Sequence, residues 1–443
     1  MSDHSMPDGA SPGTPGEAEM PAQPATPDQP AGRPVRAPER LVALDFIRGV
    51  AMLGIVFANI TAFAHPMLAY QWPGALPGGG DAGDRAIWLF QLVFVDGKFR
   101  GLFTILFGAG MYLFLERAWA RGEGLALQAR RLFFLLLFGV AHTVLLFAGD
   151  ILVLYALSGF LALPLVGWSA RRQLAWGLVG YGAGALLMIL ALASPMMLEQ
   201  WPATLAEAAP EAGESLRIQA ESSFDKASVE REVMGQGSLA DVVRYRATKE
   251  LDQSPYLIWL ALTETVPLML LGMALYRFGF FSGAFDIGRM RWWGWVGVAS
   301  GACATFAIGL WPYSAGFPLF LTSFVASGAA TITSLPMLLG YAALLAVWSG
   351  CGARGWLGTR IVAAGRMAFS NYIGTSALMM FVFPSWAGGL YGELHRAQLL
   401  LVVACAWVIM LGCSSWWLER FRYGPLEWAW RCLTYGRRFP LRR

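Results

Sequence analysis

The sequence predicts an all-α fold: a polytopic integral membrane helix bundle of about ten transmembrane helices, with both termini in the cytoplasm. Three observations lead to this prediction. Hydrophobic residues make up 56% of the 443 residues, and the mean hydropathy is +0.50. Charged residues make up 14%, whereas a soluble domain has about 25%. Apolar runs of spanning length recur along the chain. Together they exclude a soluble enzyme, a disordered protein and a disulfide scaffold.

Residues 1–40 differ in composition from the remainder of the chain. They contain 9 of the 24 prolines and almost no large apolar residues. Such a segment cannot bury enough surface to offset its ordering entropy, so we expect a disordered cytoplasmic tail. A cleaved signal peptide is not expected, because Asp45 and Arg48 would lie inside its apolar region.

Residues 41–418 form the predicted transmembrane helical domain, because each candidate span supplies about 20 mainly apolar residues. Residues 317–328 are either a separate half-helix or the start of the next span, and Ala86–Val95 is a candidate interfacial helix. The candidate spans are Leu41–Phe63, Phe99–Leu115, Leu132–Ala148, Ile151–Trp168, Leu174–Ala193, Tyr256–Tyr276, Trp292–Trp311, Thr331–Trp348, Ile361–Phe383 and Leu399–Leu418.

Basic residues predict the orientation of these spans. The short segments on one side hold only Arg85, Lys98, Arg100 and Arg396, and the remaining arginine clusters fall on the other side, which is therefore cytoplasmic. The long outer loop at 195–254 has 11 acidic and 6 basic residues. It is either a solvated cap or a lid over an outward-facing site.

Residues 419–443 form a basic, aromatic C-terminal segment. Its interleaved tryptophans and arginines are typical of an anchor at the inner leaflet. The alternative is that this segment forms the mouth of a cytoplasmic cofactor site.

The first span carries a polar stripe of Asp45, Arg48 and Asn59. At 100° per residue these side chains fall on one face of the helix. Ionisable residues inside a span are costly and mark candidate sites. Asp45 and Arg48 are spaced to pair, so they either form a structural ion pair or take part in a site.

His142 and Asp150 are the candidate acid–base residues, because histidine is suited to proton transfer near neutral pH. They are about 12 Å apart along a continuous helix and meet only if the helix breaks near Gly149. Tyr155 follows in the next span. Glu264 lies three residues before a proline, and it either lines a cavity or pairs with a basic residue of the segment 98–100.

The composition also limits the ligands that we expect. The cysteines match no zinc spacing, and none lies in an outer loop, so we expect neither a metal nor an outer disulfide. Nucleic-acid binding is not expected, because the basic clusters lack interleaved aromatics along most of the chain.

Four groups of motifs carry a resemblance to a known family. The sequence resembles the YeiB-like family (domain of unknown function 418) of bacterial inner-membrane proteins over nearly everything after residue 40. The motifs are Leu44-Asp45-Phe46-Ile47-Arg48-Gly49 with Gly54-Ile55 and Asn59; Lys98-Phe99 with Leu106-Phe107-Gly108-Ala109-Gly110; His142 with Gly149-Asp150-Ile151-Leu152 and Tyr155; and Gly365-Arg366-Met367-Ala368 with Asn371-Tyr372 and Phe421-Arg422-Tyr423-Gly424-Pro425-Leu426-Glu427-Trp428.

This family is in turn distantly similar to transmembrane acyltransferases such as heparan-alpha-glucosaminide N-acetyltransferase. Those relatives carry an acyl group from cytoplasmic acyl-CoA to a glycan or lipid-linked acceptor. In heparan-alpha-glucosaminide N-acetyltransferase an Asn in the first span and a following His serve the active site, and Asn59 lies at a place comparable to that Asn. The resemblance therefore implies an acyltransferase with acyl-CoA as donor.

Two hypotheses follow for the function. In the first, a membrane acyltransferase, the catalytic residues are His142, Asp150, Asn59 and Asp45. Its substrate-binding residues are Arg48, Tyr155, Glu264 and Asn371, and its acyl-CoA phosphates bind Arg360 and Arg366. In the second, a transporter or lipid flippase uses the same buried residues without chemistry. A structural or signalling role for the outer loop is a third alternative. The expected partners are membrane lipids, an envelope glycan or lipid-linked acceptor, and a second copy in a homodimer.

Overall fold

The computed structural model describes Met1 and residues 37–201, 210–250 and 254–443. In these ranges the regular structure is helical, apart from one isolated antiparallel bridge between Phe421 and Arg442. Residues 2–36 of the predicted tail lie outside the described ranges. The α-helices are α1 (Ala37–Ala64), α2 (Met67–Gln71), α3 (Ala82–Phe94), α4 (Lys98–Trp119), α5 (Leu125–Leu145), α6 (Leu152–Ala162), α7 (Ala170–Gln200), α8 (Pro210–Gln236), α9 (Leu239–Tyr245), α10 (Ser254–Leu260), α11 (Val266–Arg277), α12 (Ile287–Ser314), α13 (Leu319–Ser323), α14 (Ala330–Gly352), α15 (Trp356–Arg366), α16 (Ala368–Val382), α17 (Arg396–Arg420) and α18 (Pro425–Tyr435).

Within the described residues, seven helical stretches are long and apolar enough to cross a membrane, which confirms an all-helical protein with several apolar helices. Two further apolar helices, Leu152–Gly167 and Ala368–Val382, are shorter. Helix α4 coincides with another predicted span but carries charged residues at both ends. The seven stretches are Val42–Ala64, Leu125–Leu145, Ala170–Gln200, Tyr256–Arg277, Ile287–Ser314, Leu319–Gly352 and Arg396–Arg420.

The predicted span Ile361–Phe383 is two helices, which corrects the sequence prediction. The chain leaves helical geometry at Met367, where φ is −108° and ψ is 26°. The carboxylate of Glu427 accepts hydrogen bonds from the backbone N–H groups of Phe369 (2.8 Å) and Ser370 (3.0 Å). A distant side chain thus satisfies the first amides of α16, a cap that local sequence does not reveal.

Helix α1 lies at the centre of the bundle, where it packs against α4, α14, α15 and α17. Its contact with α15 is unusually close and depends on two glycines. A Cβ on Gly49 would lie 2.0 Å from the Ile361 carbonyl oxygen, and one on Gly365 would lie 1.8 Å from the Asp45 carbonyl oxygen. Larger residues at these positions would push the helices apart, so the glycines bring the end of α1 beside the end of α15.

Two open questions about the chain's course are answered in the described residues. Leu319–Gly352 is a single helical stretch that contains a π-helical segment at Phe324–Ala329, so residues 317–350 do not form two separate membrane segments.

The predicted outer loop at 195–254 contains α8 and α9. Glu230 of α8 accepts hydrogen bonds from the Met67 N–H (3.0 Å) and from the Tyr391 hydroxyl (3.3 Å), so α8 packs on the bundle rather than standing free.

Candidate functional site

The helix that carries His142 ends at Leu145, and the chain turns back before α6 begins at Leu152. This break brings His142 and Asp150 together: His142 Nδ1 lies 2.7 Å from Asp150 Oδ1, and both side chains are almost completely buried. The other carboxylate oxygen accepts the Val153 N–H at 2.7 Å and so caps α6. The sequence predicts that His142 and Asp150 meet only if the helix breaks near Gly149, and the chain has this break.

The contact with Asp150 indicates the tautomer of the imidazole. A carboxylate that accepts a hydrogen bond from the ring places the proton on Nδ1 of His142. Nε2 is then an acceptor, and it is buried without a hydrogen-bond partner. A buried basic nitrogen without a partner costs free energy, and because this one belongs to a ring that is also paired with a carboxylate, His142 is a candidate for a functional group.

Two tyrosines stand beside this pair. The Tyr372 hydroxyl accepts the Ile151 N–H at 3.1 Å and lies 3.5 Å from Asp150 Oδ1, and its ring centroid is 4.9 Å from that of His142. The Tyr155 hydroxyl contacts Thr104 Oγ1 (2.9 Å) and donates to a backbone carbonyl of α4 (3.1 Å). Of the two tyrosines, Tyr372 is the one that contacts the histidine–aspartate pair.

The first of two neighbouring cavities has a volume of about 190 Å³, and we call it the arginine cavity. Arg48, Arg131 and Arg366 line it, together with Gln128, whose side-chain oxygen is buried without a partner. The Arg131 guanidinium lies over Trp430 of α18 at 4.3 Å. Because Trp430 also lines the cavity, the C-terminal segment forms part of its wall, as the second of the two sequence interpretations proposes.

The second cavity has a volume of about 380 Å³, and we call it the carboxylate cavity. It is lined by Asp96, Asp150 and Glu264, and by Arg100, whose guanidinium is 2.9 Å from the Glu264 carboxylate. Glu264 therefore both lines a cavity and pairs with a basic residue, two readings that the sequence left open. It lies in a π-helical turn, Ala261–Thr265, a feature frequent at functional sites.

The two cavities are adjacent, because one residue belongs to the lining of both. Helix α4 contributes Arg100 to the carboxylate cavity and residues 103–111 to the arginine cavity, so they differ in depth along this helix. Ile151 lines both. His142 lines neither, but it contacts Asp150 of one cavity and Tyr372 of the other.

Several residues predicted to belong to the site lie elsewhere. Arg360 is stacked over Trp356 at 4.0 Å and lines neither cavity. Asn371 bonds to the Ala364 carbonyl and to Ser414 Oγ, so it joins helices. Asn59 is half-buried and lines neither cavity.

The Asp45–Arg48 ion pair forms as expected, at 3.0 Å. Only its arginine lines the arginine cavity. Arg48 therefore faces a cavity, and Asp45 lies beside it as its ion-pair partner.

The residues that sequence reasoning missed are Arg131, Gln128 and Tyr372. Arg131 belongs to the arginine clusters from which the sequence predicts the orientation of the spans. Gln128 is a polar residue near the start of α5. Tyr372 directly follows Asn371 in one of the motifs shared with the YeiB-like family, and this motif is the one sequence feature that points to it. None of the three has a spacing to His142 that would reveal the contact.

Two further histidines have clear structural roles. His65 is completely buried, and its Nε2 lies 2.7 Å from the Leu394 carbonyl oxygen. Burial lowers the pKa of His65 to about 4.

His395 Nδ1 lies 2.7 Å from Asp84 Oδ2. Ligand atoms of Asp81, Asp84 and His395 lie within 4.8 Å of one another, close enough for a metal ion. However, the two aspartates form the capping box of α3, which explains the cluster without a ligand.

Comparison with known proteins places this architecture in a family. The chain is 30% identical over 405 residues to the uncharacterised protein YeiB of Escherichia coli (strain K12), covering 89% of this chain and 96% of that protein. The chain belongs to the YeiB family. Residues 275–437 match the family model described as "Protein of unknown function (DUF418)".

Relatives of the family occur in other bacteria. The chain is 28% identical over 424 residues to the uncharacterised protein YxaH of Bacillus subtilis (strain 168), covering 91% of this chain and 96% of that protein. It is 28% identical over 416 residues to an uncharacterised 39.9 kDa protein from the amylase 3' region of Bacillus acidopullulyticus, covering 92% and 97%. No solved structure matches the chain.

Proposed function

We propose that this family member is an acyltransferase of the bacterial inner membrane. It would use cytoplasmic acyl-CoA as donor and pass the acyl group to an envelope glycan or lipid-linked acceptor. In this proposal the seven apolar stretches, the two shorter apolar helices and α4 together supply about ten spans, with both termini in the cytoplasm.

One observation carries the proposal: the buried His142–Asp150 pair has an Nε2 without a partner and contacts the linings of two cavities, one with three arginines and Glu427 and the other with three carboxylates and Arg100. A transferase that works across a membrane needs a donor site, an acceptor site and a base between them. Perturbed or unsatisfied buried groups beside a cavity are candidates for such a base.

The arginine cavity fits the donor. Arg48 is half-buried and Arg366 is exposed, so both can reach phosphate groups in water at the mouth. Guanidinium groups bind phosphate through charge-assisted, bidentate hydrogen bonds. A volume of about 190 Å³ suits the thin pantetheine arm and not the nucleotide, which would remain at the mouth.

The chemistry needs one base and one acid. His142 Nε2 would take the proton from an acceptor hydroxyl or amine as its oxygen or nitrogen attacks the thioester carbonyl carbon. The carbon–sulfur bond then breaks, and the imidazolium returns the proton to the CoA thiolate. Asp150 stabilises the imidazolium and holds the tautomer, so charge and atoms balance within this pair.

A transporter or lipid flippase is the second candidate, favoured by a different observation. The two cavities lie at different depths along α4, and one of them holds the Arg100–Glu264 ion pair. A carrier with alternating access would also have two such cavities. Flux of a lipid or solute in proteoliposomes that contain no acyl-CoA would favour this candidate.

Binding of acetyl-CoA to the purified protein, measured by calorimetry in detergent, tests the donor site. We expect Arg48→Gln and Arg366→Gln each to weaken binding by roughly 10- to 100-fold, the value of one charge-assisted hydrogen bond. Arg360→Gln is the matched control, because Arg360 lines neither cavity.

Full-strength binding in both cavity variants would contradict this donor site. No binding of acetyl-CoA or of longer acyl-CoAs to a well-folded wild type would contradict the transferase and favour the carrier.

A further inference from the structure

The linings of the two cavities meet in the turn between α5 and α6. Ile151 is the one residue, among those described, that lines both cavities. It immediately follows Asp150 in this turn and precedes the first residue of α6. The turn therefore carries both the residue shared by the cavities and the carboxylate that contacts His142.

One side chain from a distant helix holds this turn. The Tyr372 hydroxyl of α16 accepts the Ile151 N–H at 3.1 Å and lies 3.5 Å from Asp150 Oδ1, to which it donates. The same ring packs against the His142 imidazole at 4.9 Å between centroids and lines the arginine cavity. Tyr372 thus contacts the Ile151 backbone, the Asp150 carboxylate and the His142 imidazole.

We propose that Tyr372 is the positioning residue of the site, which fixes Ile151 and Asp150 and covers the His142 imidazole on the side of the arginine cavity. This inference rests on the proposed transferase function. The hydroxyl is the part of Tyr372 that matters, because its ring alone could not hold the Ile151 amide or supply the second donor to Asp150 Oδ1. The donor's acyl end would then meet Tyr372 before it meets the base.

Two other tyrosines do not share this arrangement. The Tyr155 hydroxyl lines the same cavity but contacts Thr104 and a carbonyl of α4. The Tyr341 hydroxyl donates to the Phe94 carbonyl at 3.1 Å, and this residue lines neither cavity. Tyr341 therefore offers a matched control, in which the same atom is removed from a hydrogen bond to backbone.

The test compares Tyr372→Phe with Tyr341→Phe in the full-length protein. The first readout is the tautomer of His142, from nitrogen NMR of histidine-labelled protein, which is tractable because the chain has 4 histidines. We expect Tyr372→Phe to replace the single Nδ1–H form of His142 by a mixture of tautomers. Tyr341→Phe should leave the wild-type spectrum unchanged.

The second readout is acetyl transfer from acetyl-CoA. We expect Tyr372→Phe to lower kcat by roughly 10- to 100-fold, the usual cost of losing a partner that orients a functional side chain. KM for acetyl-CoA should stay within about twofold, because the hydroxyl does not bind the phosphates. If Tyr372→Phe does not fold, Tyr372→Met, which also lacks the hydroxyl, replaces it.

An unchanged His142 tautomer in a folded Tyr372 variant would overturn the inference, whatever the activity. A wild type that transfers no acyl group would contradict the proposed function alone, because the NMR comparison does not depend on turnover. A change in tautomer without transfer would support Tyr372 as a positioning residue in a site of another kind.

Discussion

Two histidine–aspartate pairs among the described residues have the same Nδ1–carboxylate distance and different surroundings. His142 Nδ1 is 2.7 Å from Asp150, and His395 Nδ1 is 2.7 Å from Asp84. Both carboxylates also accept backbone N–H groups and so cap a chain turn or helix. The side chain of His142 is 0% exposed and that of His395 is 40% exposed.

This difference teaches that a short histidine–aspartate distance does not by itself mark a site. In the His395 pair the carboxylate is committed to the ends of α3 and α17, and the imidazole is open to solvent. In the His142 pair the imidazole is completely buried and contacts one lining residue of each cavity, Asp150 and Tyr372. Its Nε2 has no hydrogen-bond partner. Enclosure and an unused nitrogen distinguish the candidate base from the capping histidine.

The largest expected contrast comes from neutralising the two aspartates. Asp150→Asn keeps an acceptor for the Val153 N–H but places an amide against the imidazole, which favours the wrong tautomer. Because general acid–base catalysis contributes about 10²- to 10⁴-fold, we expect a loss of that order in acyl transfer. Asp84→Asn should leave transfer unchanged and lower stability by about 1–3 kcal/mol, the cost of unsatisfied buried donors.

Initial rates of acetyl transfer and thermal unfolding in detergent, measured on both variants, check this contrast. Equal loss of activity in the two variants, or a loss confined to Asp84→Asn, would show that the two pairs have been assigned the wrong roles.

His65 separates the effect of burial from the effect of a carboxylate. It is buried without an acidic partner, and its pKa falls from 6.5 to about 4. Between these values the unfolded state binds a proton that the folded state does not, so stability is complete above about pH 6.5 and decreases as the pH falls to about 4. The full loss corresponds to roughly 3 kcal/mol.

We expect the melting temperature of the wild type to fall over this acid range and that of His65→Gln to fall less. Gln is a suitable replacement because its amide can still donate to the Leu394 carbonyl. Parallel melting curves for wild type and variant between pH 6.5 and pH 4 would show that His65 does not titrate as described.

The smallest effect is expected from His395, with the opposite sign. Its hydrogen bond to Asp84 raises the pKa of His395. Burial acts to raise the pKa of Asp84, but hydrogen bonds from His395 and from backbone amides lower the pKa of Asp84 overall. The stabilisation is complete below the usual pKa of histidine and is lost as the pH rises through the raised value. His395→Asn should therefore flatten the neutral-to-alkaline part of the stability profile, as followed by thermal unfolding.

The sequence predicted the helical class and the candidate base because both depend on local signals. Long apolar runs predict the apolar helices, and Gly149-Asp150 indicates where the chain turns after the helix with His142. The Asp45–Arg48 pair followed from spacing on one helix. Each of these depends on residues that are close in the chain.

What the sequence did not reveal depends on contacts between distant segments. The break at Met367 results from a cap by Glu427, about sixty residues away along the chain. Arg131 and Trp430 meet only because α18 folds back onto α5. Arg360 and Arg366 are six residues apart on one helix, and packing of α15 against α1 decides that only Arg366 lines the cavity.

Acyl transfer across a sealed membrane tests the central claim most directly. Proteoliposomes would enclose radiolabelled acetyl-CoA, and an envelope extract would be supplied outside. The account predicts label in the external extract with wild type and with His395→Gln, and only background label with His142→Gln. Wild-type transfer by a folded His142→Gln variant would contradict the assignment of His142 as the base between the two cavities.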